Sequence, residues 1–384
     1  MITKSVAEIN KYVGSSVNPM ATPDQIYELY SVPSFESGSP EIVSGADIGS
    51  TKVIVEEGDI LICKINPRIN RVWVVHHNTE HPLLASSEWI VVRNASMNSD
   101  YLKWYFSSPI FRTLLTSQVT GIGGSLTRAQ PKQVAKYPVP IPSRDEQDYV
   151  ADILTRIDNL MHKYQQQIIG IEQLVKSRFI ELFGMPGTDA FGWGLVPLGS
   201  TCNINPKKSL DSRLVSGAMV SFVPMPAVTE HGEIDATAIK EYDEVKTGFT
   251  YFAENDVLFA KITPCMENGK GAVAKGLNNG IGFGSTEFHV LRPISGKTDP
   301  YWIYTLTAFS QFRMDAASNM TGSAGQRRVP ASFLENYRVS LPPIALQEQF
   351  AAFVEQTDKS KLAVQKGLQE LEILKKSLMQ QYFG

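Results

Sequence analysis

Two stretches of the chain repeat mostly apolar residues at steps of three and four, the spacing of a helix with one apolar face. A mean step of about 3.5 residues is typical of a coiled-coil seam. Prolines precede both stretches and Gly184 and Gly384 follow them, as expected at helix boundaries. In residues 144–182 the seam positions are Val150, Ile153, Ile157, Leu160, Tyr164, Ile168, Ile171 and Leu174. In residues 345–382 they are Phe350, Phe353, Thr357, Val364, Leu368, Leu371, Leu374 and Leu378.

The residues before each long helix have a different pattern, in which short β-branched and aromatic runs alternate with turn-forming residues. Such runs predict strands, and together with two amphipathic segments they indicate mixed α/β domains. The dipeptide Asn268-Gly269 favours a tight hairpin turn. The predicted strands are 60–65, 72–75, 89–92, 257–262 and 288–291, and the predicted helices are 101–115 and 301–316.

The two halves of the chain are similar to each other at an offset that drifts only between 197 and 202 residues. Residues 171–177 recur as 371–377, and the order of all matches is kept. This period is too long for a solenoid and indicates a duplicated domain. Further matched pairs are Asp59 with Asp256, Glu88 with Glu287, Arg93 with Arg292, and Glu146-Gln147 with Glu348-Gln349 after a two-residue shift.

These patterns predict an α+β protein with two tandem mixed α/β domains separated by two long antiparallel coiled-coil helices, related by pseudo-two-fold symmetry. Antiparallel pairing would put the domains at opposite ends of a rod. Two equivalent sites at a fixed distance suit duplex DNA, whose readers often match protein symmetry to two half-sites. The predicted boundaries are 1–143, 144–184, 185–343 and 344–384.

Composition and charge narrow the function. Lys plus Arg is 36 and Asp plus Glu is 39, a net charge of −3, which argues against a protein that coats nucleic acid non-specifically. No apolar run approaches the ~20 residues of a membrane span, and the N-terminus lacks a secretory signal core. The three cysteines are far apart, which predicts a reducing, cytoplasmic location and no metal site.

The sequence offers no complete catalytic motif, so we predict no catalytic residue, no metal and no cofactor. Ser295–Thr298 ends like a phosphate-binding loop, but Leu291 stands where its first glycine should be. Asp299–Trp302 lacks the second proline of an adenine-methyltransferase motif. The cluster His76–His81 has no counterpart in the second half and reads as a solvated loop, with DNA contact as the alternative.

Basic and amide side chains surround a predicted hairpin tip at the same place in both halves. Such donors can contact phosphates and guanine edges, and asparagine can pair with adenine. The alternative is a solvated turn whose lysines protect an edge strand. We predict DNA contacts at Lys64, Arg68, Asn70 and Arg71 in the first half, and at Lys261, Asn268 and Lys270 in the second.

A glycine-rich loop is a second repeated candidate, at residues 120–128 and 321–328. Small residues let backbone N–H groups approach a phosphate, and the arginines supply charge. The alternative is a tight loop that only joins a helix to a strand. The predicted contacts in and beside these loops are Ser125, Arg128, Lys132, Gln326, Arg327 and Arg328.

The duplicated pattern resembles the specificity (S) subunit of type I restriction–modification systems over nearly the whole chain. The most specific segments are Leu341–Gln349, Leu182-Phe183-Gly184 and the segment from Gly192-Trp193 to Val196–Gly199. The first proline motif departs from the pattern, because residues 141–146 lack the double proline and are two residues shorter.

The resemblance implies that each domain is a target-recognition domain reading one half of a split DNA sequence, with the helices as a ruler. It also implies partners: double-stranded DNA, two methyltransferase (M) subunits that carry S-adenosylmethionine, and in some systems two restriction (R) motor-nuclease subunits. The alternative is a non-catalytic two-domain adaptor that binds protein. DNA reading requires the candidate residues on one face, whereas an adaptor allows them to be scattered.

Overall fold

The computed structural model describes residues 2–117, 119–120, 127–208, 211–323 and 325–384. It forms two units. Unit 1 contains residues 1–165 and 366–384, and unit 2 contains residues 166–365. Each unit therefore combines one globular part with a portion of both long helices.

Unit 1 is built from short strands and helices of the first half. Its strands are β1 Ile2–Ser5, β2 Ser16–Val17, β3 Ile26–Tyr30, β4 Glu41–Ser44, β5 Lys52–Ile54, β6 Ile60–Cys63, β7 Val72–Val74, β8 Leu83–Ala85, β9 Trp89–Val92, β10 Val119–Thr120, β11 Arg128–Ala129 and β12 Pro138–Ile141. Its helices are α1 Val6–Ile9, α2 Ser99–Phe106, α3 Pro109–Ser117, α4 Pro131–Val134 and the first part of α5 Arg144–Phe183.

Unit 2 repeats this plan. Its strands are β13 Leu195–Pro197, β14 Cys202–Ile204, β15 Met219–Val223, β16 Ile239–Glu241, β17 Thr250–Ala253, β18 Val257–Ala260, β19 Gly271–Val273, β20 Ile281–Gly284, β21 Phe288–Pro293 and β22 Arg338–Ser340. Its helices are α6 Tyr242–Val245, α7 Pro300–Ala308, α8 Ser310–Ser318, α9 Ala331–Asn336 and the first part of α10 Ile344–Phe383. The mixed α/β class with two 40-residue helices is confirmed.

The sheet topology is duplicated more completely than the sequence. The order β4-β3-β8-β5 of unit 1 recurs as β16-β15-β20-β17 in unit 2, with the β3–β8 and β15–β20 pairs both parallel. The order β7-β6-β9 recurs as β19-β18-β21. The poorly matching start of each half therefore keeps the same strand connections.

Each unit buries a core between its sheet strands, its short helices and the long helices. In unit 1 the fully buried Phe106 and Phe111 pack with Leu154 of α5 and Phe383 of α10. In unit 2 Phe179 of α5 lies 5.5 Å from the ring of Phe350 of α10. In unit 1 the helices run antiparallel, since Tyr149 contacts Tyr382 and Asp158 pairs with Lys375. In unit 2 they also run antiparallel, since Phe179 contacts Phe350 and Glu172 pairs with Lys361.

Three sequence predictions about the helices need correction. Residues 101–115 and 301–316 are each two helices, because Ser108 caps a new helix that begins at Pro109, and Phe309 is extended at ψ 140°. The predicted seam is not continuously buried, since Leu160, Leu174 and Leu374 are exposed. The other seam positions are at least half-buried, so the seam is interrupted rather than absent.

The two-residue shift between the helix starts is also wrong. Both long helices have 40 residues and begin at positions 200 apart. The equivalent of Gln147 is therefore Gln347, and not Gln349. The helix α5 ends as predicted before Gly184, whose φ of 77° favours glycine. No helix among the described residues is long and apolar enough to cross a membrane.

Candidate nucleic-acid interface

In unit 1 the backbone joins the two predicted contact loops. The first loop, residues 64–71, connects β6 to β7 and is called tip loop 1. The amide of Ala129 donates to the carbonyl of Lys64 at 2.9 Å, and the amide of Asn66 donates to the carbonyl of Thr127 at 2.9 Å. The strand β11, which follows the glycine-rich loop, therefore begins next to tip loop 1.

Unit 2 makes the same junction with tip loop 2, residues 261–270, which connects β18 to β19. The amide of Val329 donates to the carbonyl of Lys261 at 2.9 Å, and that of Thr263 donates to the carbonyl of Arg327 at 3.0 Å. Each unit thus brings its tip loop and the end of its glycine-rich loop together.

The measured separation of these partners along the chain is 61 and 65 residues in unit 1, and 64 and 68 residues in unit 2. Contacts at such separations depend on the tertiary fold. The sequence predicted both loops in each half, but not that they adjoin.

The two arginines at these junctions pair with equivalent glutamates. Arg128 Nη2 lies 3.1 Å from Glu88 Oε1 in unit 1. In unit 2 Arg328 binds Glu287 in a bidentate manner, with Nε–Oε2 at 2.9 Å and Nη2–Oε1 at 2.8 Å. These hydrogen bonds lower the pKa of the Glu287 carboxyl, so it is ionised at neutral pH.

The remaining predicted contact residues of unit 1 differ in their exposure and in whether their side chains already have partners. Arg68 and Lys132 are exposed, and Lys64 is half-buried. Asn70, at φ 52°, donates to the carbonyl of Phe106 at 3.0 Å and braces tip loop 1. Arg71 forms an ion pair with Glu36 at 3.1 Å. Ser125 and the rest of residues 121–126 lie outside the described residues.

In unit 2 Asn268 and Gln326 are exposed, whereas Lys270 is half-buried. Arg327 reaches the tip-loop residue Glu267 at 3.4 Å. Lys261 is half-buried, and desolvation lowers its pKa, reinforced by Arg328 and opposed by Glu287. The surface formed by tip loop 2 and the end of the glycine-rich loop therefore contains both basic groups and carboxylates.

Tip loop 2 is not the tight hairpin that Asn268-Gly269 predicted. Ten residues connect the strands, and helical turns form where Met266 donates to Ile262 and Asn268 donates to Pro264. The buried Arg313 holds this loop, because its guanidinium donates to the carbonyls of Met266 at 2.7 Å and Gly269 at 3.0 Å. Burial lowers the pKa of Arg313 to about 10.

Sequence reasoning missed the roles of Arg313, Glu88 and Glu287. In the sequence the two glutamates are a matched pair of the repeat, and no contact was predicted for them. Their recurrence at one offset, together with that of the arginines after the glycine-rich loops, was a usable signal. Arg313 also recurs, as Arg112, but Arg112 is exposed, so the recurrence did not indicate that Arg313 is buried and holds tip loop 2.

The three motifs that resembled metal, phosphate or methyltransferase sites form hydrogen bonds within the fold. The buried Glu28 accepts hydrogen bonds from Asn78 and Thr79 of the histidine-rich segment. Thr298 of the loop that resembles a phosphate site donates to the carbonyl of Thr201 at 2.6 Å. Asp299 caps α7 through the amide of Tyr301.

The second half of the chain is similar to known proteins. Residues 192–373 match the model described as the type I restriction modification DNA specificity domain. The chain is 43% identical over 153 residues to the type I restriction enzyme EcoEI specificity subunit of Escherichia coli, covering 40% of this chain and 25% of that protein. It is 41% identical over 159 residues to the EcoAI specificity subunit of Escherichia coli, covering 41% and 26%. The matched region thus spans about a quarter of those relatives.

Two solved structures share the fold. One is a chain from a study of complex assembly and conformational transition of the type I R-M system, with TM-score 0.53, 17% identity, and coverage of 100% of this chain and 97% of that one. The other is the type I restriction-modification system S subunit from M. genitalium, with TM-score 0.53, 11% identity, and coverage of 98% and 94%. At these identities the likeness concerns the fold alone.

Proposed function

We propose that the chain is the DNA-recognition subunit of a type I restriction–modification complex, a proposal supported by the match of residues 192–373 to the type I restriction modification DNA specificity domain. It reads a split DNA target and carries no catalytic residue of its own. Residues 1–143 read one half-site, residues 185–343 read the other, and the helices 144–184 and 344–384 set the gap.

One observation carries this proposal beyond the matched region. The junction between tip loop and glycine-rich loop recurs in unit 1, outside residues 192–373, with the same backbone hydrogen bonds and the same Arg–Glu pair. A surface kept in both copies supports a shared role. Its exposed Arg68, Asn268 and Gln326 are donors of the kind that contact phosphates and base edges.

We infer the partners from the same resemblance. Two methyltransferase subunits would dock on the helical regions, bind S-adenosylmethionine and methylate adenine after flipping the base out of the duplex. Two restriction subunits can complete such a complex. The chain itself needs no cofactor, and we place it in the cytoplasm, where its DNA target and reducing conditions suit its free cysteines.

The net charge of −3 predicts weak DNA binding by the chain alone. Contacts between basic side chains and phosphates supply much of the affinity of DNA-binding proteins. Here the partner subunits would supply most of the positive charge. Tight binding by the isolated chain at physiological salt would contradict this division of roles.

The test is selection of bound duplexes from a random library, using the chain assembled with an adenine methyltransferase from its gene neighbourhood. We expect enrichment of two short defined sequences separated by a gap of fixed length. A stable complex that enriches no sequence would contradict DNA reading and favour the two-domain adaptor.

A further inference from the structure

The glutamates of the repeated Arg–Glu pairs are held firmly by their own backbone. In unit 2 the amide of Glu287 donates to Ser285 Oγ at 3.2 Å, and its carbonyl accepts from the amide of Lys261 at 2.9 Å. In unit 1 Glu88 makes the same two contacts, with Ser86 Oγ at 3.3 Å and the amide of Lys64 at 2.9 Å. The backbone of both glutamates is thus fixed relative to the tip loop, next to the arginine that each carboxylate binds.

The pairing leaves part of each guanidinium available. Among the described residues Arg328 uses Nε and Nη2 for Glu287, and Nη1 for the carbonyl of Gln326 at 3.0 Å. A guanidinium has five N–H donors, so one remains on each of Nη1 and Nη2. The side chain of Arg328 is still 41% exposed, and that of Arg128 is 57% exposed.

A base edge suits such an arginine better than a phosphate does. The carboxylate neutralises the guanidinium charge, which weakens attraction to a phosphate, and repels the phosphate itself. A guanine edge is uncharged and presents two acceptors, O6 and N7, to paired donors. Holding the long side chain in one rotamer also reduces the entropy lost on binding.

We propose that Glu88 and Glu287 are positioning residues that orient Arg128 and Arg328 to read one guanine in each half-site. This inference rests on the proposed DNA-recognition function. It specifies one base in each half-site, guanine, and the residues that recognise it. Arg128 acts on the half-site of the first domain, and Arg328 on that of the second.

The test compares variants of the assembled complex in the random-library selection. R328K keeps the positive charge but loses the planar guanidinium with its paired donors. E287Q keeps the shape of the glutamate but loses the negative charge that orients the arginine. Both should reduce the preference for guanine at one position of the second half-site, by about tenfold for R328K. All other positions, including the first half-site, should keep their preferences.

R213K is the matched control, because Arg213 also binds a carboxylate, that of Asp211, in a bidentate manner and is similarly exposed, at 43%, but lies outside both loops. It should leave that guanine preference unchanged, and R128K should relax the first half-site only. Uniformly weaker binding with every preference kept would overturn the inference and identify a phosphate contact. Lower thermal stability with every preference kept would overturn it too, and identify a structural ion pair. A wild-type complex that selects no split sequence would contradict the proposed function itself.

Discussion

Gln147 and Gln347 make the same hydrogen bonds at the start of the two long helices, 200 residues apart. Gln147 Oε1 accepts from the amide of Asn98 at 2.9 Å, and Gln347 Oε1 accepts from the amide of Asp299 at 2.9 Å. Their Nε2 groups donate to the carbonyls of Pro142 and Pro342. In each unit a buried glutamine therefore links the long helix to the cap of a short helix.

Removing this link in unit 2 should destabilise the protein. Gln347 is fully buried and also donates to the carbonyl of Lys297, so Q347A leaves three backbone groups without their partner. We expect a loss of about 1–3 kcal/mol in the free energy of unfolding, measured by denaturant or thermal unfolding. The exposed Gln349 is the matched control, and Q349A should have little effect. Equal losses for the two variants would contradict this role.

A duplicated ion pair makes a second prediction. Arg292 binds the buried Asp256 through Nε–Oδ1 at 2.8 Å and Nη2–Oδ2 at 2.6 Å, and Arg93 binds Asp59 in the same way. R292M should cost about 3 kcal/mol at neutral pH, because it leaves a buried carboxylate without its cation. The double variant D256A/R292M should cost less than the sum of the single variants.

The cost of R292M should also depend on pH. Burial raises the pKa of Asp256 even though Arg292 opposes this, and removing the arginine raises it further. A raised folded-state pKa gives stability that is present below the unfolded pKa of about 3.9 and is lost as pH rises through the folded value. The difference between R292M and wild type should therefore shrink towards pH 4. A difference that stays constant from pH 7 to pH 4 would contradict the burial of an unpaired charge.

The sequence predicted the duplication, the long helices and most core strands, because these depend on local periodicity and turn residues. It did not predict what depends on tertiary contacts. The break before Pro109 requires the buried Ser108, and the partners of Arg128 and Arg328 come from distant segments. The shift that matched Gln147 with Gln349 relied on residue identity, whereas the hydrogen bonds identify Gln347.

The cysteines offer a chemical test of the two cores. Cys63 and Cys202 are buried, and burial raises the pKa of Cys202 to about 12, so its thiolate is scarce at pH 8. Cys265 lies partly exposed in tip loop 2. Iodoacetamide should modify Cys265 first and the other two only after unfolding, as peptide mass mapping can follow. Early modification of Cys202 would contradict the buried position.

The ruler role of the helices predicts a change in spacing. Four residues add about one turn, ~6 Å, when inserted into α5 after residue 165 and into α10 after residue 365. The gap between half-sites should lengthen by about two base pairs, at ~3.4 Å each, while both half-sites stay the same. Inserting four residues after the exposed Ala190 is the control and should leave the gap unchanged. An unchanged gap in the helix variant would refute the ruler.

The proposed function requires one chain to read two half-sites held at a fixed distance. The most direct measurement co-expresses it with the neighbouring methyltransferase in a methylation-free host and maps N6-methyladenine by single-molecule sequencing. We predict one split motif with a gap of constant length, methylated on both strands. A soluble complex that methylates nothing, or a continuous motif without a gap, would contradict the claim.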